Sequence, residues 1–160
     1  MSIDTSAKIR TRREAAAWRE ALDGIVVFTN GVFDLVHPGH VVLLEAARRE
    51  GDALIVGIND DDSARRLAKG PGRPIVSAPA RARVIAAFQA VDCVVVFEED
   101  TPLELIQVLE PDVLVKGGDY THGTTIGADI VQARGGRVKH VELADGFSTT
   151  AIVERLRAST

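Results

Sequence analysis

The chain reads as an α/β protein built on a parallel β-sheet with helices on both faces. Two observations predict this. Short apolar runs recur at Ile25-Val26-Val27-Phe28, Ala53-Leu54-Ile55-Val56-Gly57-Ile58, Cys93 to Phe97 and Val113-Leu114-Val115, the pattern of strands buried on both faces, and Arg137 to Val141 reads as a fifth strand. Stretches with helical spacing lie between them, and strands alternating with helices at this interval imply crossover connections in a parallel sheet. Right-handed crossovers, and ligands bound beyond the carboxyl ends of the strands, follow from general rules.

Taken in order, residues 6–22 form a leading helix that docks through Trp18 and Leu22. Its basic cluster, Lys8, Arg10, Arg12 and Arg13, reads as a solvated face. After the first strand Asn30-Gly31 turns the backbone, Pro38 suits the first turn of a helix, Val41 to Arg49 continues it, and Gly51 ends it. The second strand ends in Asn59-Asp60-Asp61-Asp62-Ser63, whose side chains can cap the next helix. Residues 69–79, KGPGRPIVSAP, form a loop, and Arg81 to Ala90 a helix. Past the third strand, Thr101 is the expected N-cap and Pro102 the first residue of another helix. The fourth strand opens into Lys116-Gly117-Gly118-Asp119-Tyr120, Thr125 to Arg134 is helical, and Ser148 starts the last helix. No repeat or linker divides the chain, so one domain over 1–160 is expected, with 1–24 as a leading segment and 25–160 as the core.

Composition narrows the function classes. A net charge of −4 leaves no electrostatic footprint for nucleic acid or an anionic membrane, so the expected partner is a small anion met in a local basic pocket. One cysteine, Cys93, excludes an internal disulfide framework and fits a reducing compartment. With a polar N-terminus and no long apolar span, a cytoplasmic location is expected.

The chemistry concentrates between Ile25 and His40, IVVFTNGVFDLVHPGH. His37 and His40 leave the loop three residues apart on one face of a starting helical turn, where free N–H groups and two imidazoles make a place for phosphate. They could instead simply cap the helix. Gly39 is expected to be small so that backbone can approach phosphate. A dinucleotide-binding dehydrogenase would place a G-x-G-x-x-G turn here, but the turn reads Asn30-Gly31-Val32-Phe33-Asp34. Residues 69–79 also lack the glycine and lysine spacing of an ATPase phosphate loop. A structural zinc site would want four ligands; Cys93 reads as a core residue, and His122 and His140 as surface residues.

Three groups of residues carry a resemblance. Gly31-Val32-Phe33-Asp34 with His37-Pro38-Gly39-His40, and the distal Gly146-Phe147-Ser148-Thr149-Thr150-Ala151-Ile152, resemble the two signatures of the cytidylyltransferase-like nucleotidyltransferases. Lys69-Gly70, Arg81, Phe97 to Pro102 and Pro111 to Tyr120 are most similar to the heptose 1-phosphate adenylyltransferases of lipopolysaccharide-precursor synthesis. The resemblance implies a Rossmann-like three-layer α/β/α sandwich with a five-stranded parallel sheet in the order 3-2-1-4-5. It implies transfer of AMP from ATP, with Mg2+, to D-glycero-β-D-manno-heptose 1-phosphate, giving ADP-heptose and pyrophosphate. Cytidylyl transfer to glycerol 3-phosphate is the runner-up, although Leu143 stands where that branch usually has arginine. A non-catalytic nucleotide-binding module is the third reading.

By the same resemblance His37, His40 and Lys69 are the catalytic candidates. Asn30, Gly31, Val32, Phe33, Gly39, Arg81, Lys116, Gly118, Asp119, Phe147, Ser148, Thr149 and Thr150 are expected around the nucleotide and its phosphates. Asp34 and Asn59 are candidates for positioning the sugar phosphate or a cation, with local turn chemistry as the alternative for Asp34. Mg2+ is expected on the ATP phosphates rather than in a site made by protein alone. A homodimer is expected. Because heptose adenylyltransferases are often fused to a sugar kinase that this length cannot hold, the heptose 7-phosphate kinase and the phosphatase are expected to be separate proteins.

Overall fold

A computed structural model describes residues 3–68, 70–118, 125–143 and 145–160. Five strands, β1 (Val26–Gly31), β2 (Ala53–Asn59), β3 (Cys93–Phe97), β4 (Val113–Gly117) and β5 (Arg137–Val141), form one parallel sheet in the order β3-β2-β1-β4-β5. This is the order that the resemblance implies. Among the described residues seven α-helices accompany the strands: α1 (Arg12–Glu20), α2 (Pro38–Arg48), α3 (Asp61–Leu67), α4 (Ala78–Ala86), α5 (Leu103–Leu109), α6 (Ala128–Ala133) and α7 (Thr149–Ala158). Among the described residues, no helix is long and apolar enough to cross a membrane.

The alternation of side chains along β1 and β2 divides the interior into two cores. Val27, Leu54, Val56 and Ile58 face Leu43, Leu44 and Ala47 of α2 and Ala82, Ile85 and Ala86 of α4. Val26, Phe28 and Ile55 face the opposite way, toward Ala15 of α1, Leu105, Ile106 and Leu109 of α5, and Val131 of α6. Cys93 belongs to this second core, where burial pushes its thiol up to about 11 and leaves it protonated at neutral pH.

Several boundaries differ from expectation. The leading helix is broken: a single 3-10 turn at Thr5–Lys8 precedes α1, and Ile9 forms a parallel bridge with Val94 of edge strand β3. A continuous helix could not satisfy that edge, whereas one extended residue does. Within the basic cluster Arg13 is a solvated residue, but the other three are engaged. Lys8 Nζ donates to Phe88 O at 3.0 Å, Arg10 donates to Asp92 O at 3.2 Å and lies 4.7 Å from the centre of the Trp18 ring, and Arg12 pairs with Glu99. Trp18 and Leu22 do dock against the second core. Ile25 is half exposed and stands outside β1. Helix α4 starts at Ala78 behind an N-cap Ser77, and α5 starts after Pro102, which is its N-cap and gives no side-chain cap. Helix α6 is shorter than expected, its start set by Gly127 at φ 85°. His140 is half-buried, with Nε2 3.0 Å from Thr125 Oγ1, rather than on the surface; His122 lies outside the described residues.

The site is positioned by the switch in strand order. From β1 the chain crosses to β2 on one side, and it later returns to β4 on the other. Recorded pairing of β1 with β4 is confined to Val27–Val113 and Phe28–Leu114. The carboxyl ends of these strands therefore flank the place where parallel α/β sheets bind ligands.

Candidate active site

The turn leaving β1 is held in an unusual backbone conformation. Phe33 and Leu35 adopt φ of 53° and 57°, a region that costs side-chain-bearing residues on the order of 1–3 kcal/mol each. What holds them there is a set of bonds from distant segments. Asp34, buried between the two, accepts from Arg73 Nε at 3.0 Å and from the amides of Ile75 and Val76 at 2.9 Å each. Its carbonyl accepts from Thr149 Oγ1 at 3.2 Å. The carboxylate is thus engaged in fastening loop 73–76 and is not left open for a cation or sugar phosphate.

Arg81 does similar work. Only 1% exposed, it donates from Nε to Val76 O, from Nη1 to Val32 O and Asn59 O, and from Nη2 to Asp61 Oδ1, all within 2.6–2.9 Å. With its nitrogens committed to three carbonyls and one carboxylate, this guanidinium clamps three segments, the β1 turn, the β2–α3 junction and loop 73–76, and is not a spare cation for phosphate. Asn59, also buried, donates Nδ2 to Ser63 Oγ at 2.9 Å and faces the protein's own α3. Lys69 and Asp119 lie outside the described residues.

His37 and His40 form a capping box at the start of α2. His37 Nδ1 accepts from Gly39 N at 3.1 Å, and His40 Nδ1 accepts from His37 N at 3.2 Å. Capping and ligand binding are therefore not competing roles. A ring whose Nδ1 accepts a hydrogen bond carries its proton on Nε2, so the caps assign both tautomers and leave each imidazole one N–H donor. The rings stack with centroids 3.9 Å apart, and Phe33 packs 5.3 Å from His40. Burial, with His37 adjacent, pushes His40 down to about 4, and burial also lowers His37. Both are neutral at pH 7, as their accepting Nδ1 atoms require.

The amides of this turn are less available than the spacing suggests. Pro38 has none, Gly39 N is taken by the His37 ring, and His40 N and Val41 N both bond to His37 O. Gly39 is needed for a different reason from the expected one: a Cβ there would sit 2.8 Å from His37 Cε1. The glycine makes room for the imidazole that caps it.

Helix α7 supplies what α2 does not. Ser148 caps it by accepting from Ala151 N at 3.0 Å, while the amides of Thr149 and Thr150 have no partner among the described residues. The Phe147 ring stacks against His37 with centroids 6.4 Å apart, and the Thr149 bond to Asp34 ties the helix to the β1 turn. The two segments, more than a hundred residues apart in sequence, form one surface. At the end of β4, Lys116 Nζ donates to Asn30 Oδ1 across the β1–β4 gap, and burial pushes its ammonium down to about 8. Gly118 follows at φ 106°, where glycine alone is unstrained, and Leu143 lies over Gly117 so closely that a Cβ would meet its Cδ2 at 2.7 Å. Among the described residues, no group of three or more His, Cys, Asp or Glu side chains could hold a metal.

Arg73 was absent from the expected site. Its only sequence signal was the loop between two prolines, and nothing local shows that a buried aspartate 39 residues earlier orients it.

Comparison with known proteins agrees with this geometry. The chain is 52% identical over 158 residues to the bifunctional protein HldE of Syntrophotalea carbinolica, covering 97% of this chain and 32% of that protein. It is 58% identical over 134 residues to the bifunctional protein HldE of Gluconobacter oxydans, covering 84% of this chain and 28% of that one. The chain thus spans about a third of the length of these relatives. Among solved structures, the lipopolysaccharide core biosynthesis protein of Thermoplasma volcanium superposes with a TM-score of 0.63 at 27% identity, over 76% of this chain and 98% of that one. The cytidylyltransferase-like family model matches residues 28–155, and the chain belongs to that family of nucleotidyltransferases.

Proposed function

We propose that the chain transfers AMP from ATP to D-glycero-β-D-manno-heptose 1-phosphate. A phosphate oxygen of the sugar phosphate attacks the α-phosphorus, the bond to the β-phosphate bridging oxygen breaks, and ADP-heptose and pyrophosphate leave. The observation that carries this reading is the union of the α2 and α7 starts: two neutral imidazoles stand beside the two free amides of a helix N-terminus. That combination suits a polyphosphate, with α7 amides and the Ser148 and Thr150 hydroxyls holding its distal end.

The imidazole Nε2–H groups then donate to the bridging region, where negative charge grows as the α–β bond breaks. Donors already fixed by their caps need no reorganisation as charge develops, and the chemistry is in-line displacement with no covalent intermediate. Lys116, anchored on Asn30, adds a cation at the β4 end of the cleft. Mg2+ supplies charge neutralisation on the nucleotide when bound. The described residues fit a cation carried by ATP rather than one held by protein, because Asp34, the buried carboxylate of the turn, already has three donors.

The likeness to a lipopolysaccharide core biosynthesis protein, together with the resemblance carried by the sequence motifs, supports a heptose acceptor, and the matched family supports nucleotidyl transfer. A homodimer, and a heptose 7-phosphate kinase and phosphatase acting before this step, belong to the same proposal. Purified protein given ATP, Mg2+ and the heptose 1-phosphate should release pyrophosphate and form ADP-heptose. Release only with CTP and glycerol 3-phosphate would shift the assignment to cytidylyl transfer, and no release from folded protein with either pair would end it.

A further inference from the structure

We propose that Arg73 is the phosphate-recognition residue for the acceptor, in the cleft between loop 73–76, α3 and the first turn of α7. This inference rests on the adenylyl-transfer reading for the identity of its ligand, not for the existence of the site.

The argument begins with cations. Two anionic substrates meeting in one site need several positive groups around them. Arg81, the arginine that sequence singles out, has its donors engaged internally. Arg73 is its opposite. It is 17% exposed at the side chain and is held by one bond, Nε to Asp34 Oδ2 at 3.0 Å, while the Asp34 side chain is 1% exposed. Neither Nη atom of Arg73 has a hydrogen-bond partner among the described residues. An arginine fixed through Nε by a buried carboxylate is pre-oriented, and its two terminal NH2 groups remain as the planar fork that suits phosphate oxygens.

Arg73 also lines a cavity. A cleft of about 170 Å3 is walled by Val32, Asp34, Ala64, Leu67, Pro74 and Thr150, with Arg73 among them. Val32 and Asp34 belong to the turn that carries His37, and Thr150 belongs to the α7 turn with a free amide. The cleft therefore adjoins the phosphate cradle, on the side away from Lys116 and β4, since α3 follows β2 and β2 lies across β1 from β4. Ala64, Leu67 and Pro74 line the same cleft as the guanidinium, and such apolar neighbours lower the local polarity and strengthen a phosphate contact there. A phosphate monoester is the ligand class. In the reading above the α7 amides and the two imidazoles already serve the triphosphate, so the fork of Arg73 is assigned to the other anion, the sugar phosphate.

The test compares Arg73→Lys and Arg73→Ala with the unmodified protein. Lysine keeps the charge near Asp34 but lacks the fork. Both variants should raise KM for heptose 1-phosphate by about ten- to a hundredfold, the loss expected from a charge-assisted hydrogen-bond pair. KM for ATP should change less than about threefold, a difference too small for a lost charged contact. Equal rises for both substrates, or a rise for ATP alone, would assign the fork to the triphosphate and overturn the proposal; an unchanged acceptor KM in both variants would overturn it as well. Because the loop is also held by Ile75 and Val76, unchanged thermal unfolding in Arg73→Lys separates recognition from a structural role. If the unmodified protein does not turn over heptose 1-phosphate at all, NMR titration with inorganic phosphate still decides the site. Shifts at the Ile75 and Val76 amides that vanish in both variants support it; shifts there that persist in both variants, or none in the unmodified protein, refute it.

Discussion

The two ends of the strands solve the same problem with different chemistry. At the amino ends, Asp52, Asp92 and Asp112 each stand immediately before a strand and exchange two bonds with the neighbouring one. Asp52 pairs with Ile25, Asp92 with Leu54 and Asp112 with Val26, each donating its own amide to the partner's carbonyl and accepting the partner's amide at 2.8 Å. Arg48 and Arg19 back two of them, at 3.2 Å from Asp92 and 3.0 Å from Asp112. All six latch bonds are made inside the chain; the exceptions near them are Arg19 Nε, buried without a partner among the described residues, and Glu110, left-handed at φ 46° in the turn before Asp112. At the carboxyl ends, by contrast, Phe33 and Leu35 are strained, two imidazoles are held neutral with free Nε2–H groups, and the α7 amides are open. An edge that only has to hold the sheet can satisfy itself. An edge that must bind another molecule has to leave donors unpaired, and the strain is maintained by clamps such as Asp34 and Arg81.

Substitution at the two edges should therefore separate activity from stability. The largest effect is expected at the carboxyl edge: His37→Ala or His40→Ala should lower pyrophosphate release by about a hundred- to a thousandfold, the cost of one preorganised donor, with circular dichroism unchanged. Turnover unaffected by both changes would remove the imidazoles from the mechanism. At the amino edge, Asp92→Ala or Asp112→Ala should cost about 1–3 kcal/mol in urea unfolding by leaving Leu54 N or Val26 N unpaired. Turnover per folded molecule should stay within about twofold, far below the loss from removing a transition-state donor. A loss of turnover without loss of stability would contradict the division.

The smallest effect is a pH dependence. His40 is lowered in the folded protein from 6.5 to about 4, so between these values the unfolded chain binds a proton that the folded one does not. The contribution of neutral His40 is complete above about pH 6.5 and is lost as pH falls toward 4. Urea unfolding across this window should show stability decreasing toward acid, with a shallower slope in His40→Asn. An identical slope in the variant would assign the titration to other groups.

The sheet was legible because strand signals are local. A β-branched run buried on both faces announces itself, as at Cys93–Phe97, and even the half-exposed edge strand Arg137–Val141 has the bounds expected of it. The candidate site was visible as a pair of signatures, which the fold brings into contact, and Ser148 caps α7 as its residue type predicts. What was not legible were the long-range hydrogen bonds. Arg81, a sequence candidate for phosphate, is spent on three carbonyls and Asp61, and Asp34 on loop 73–76; the basic N-terminal run was misread for the same reason, because Phe88 O and Asp92 O lie some eighty residues away.

By itself, the sequence determined the parallel α/β architecture, the two signature segments and the family they belong to, because hydrophobic period, cap residues and short motifs are written in contiguous residues. Only the tertiary structure decided which charges remain free for a ligand. A charged side chain is available or committed according to the carbonyls and carboxylates that folding brings to it, and those partners are set by how loops from different strands converge at one end of the sheet.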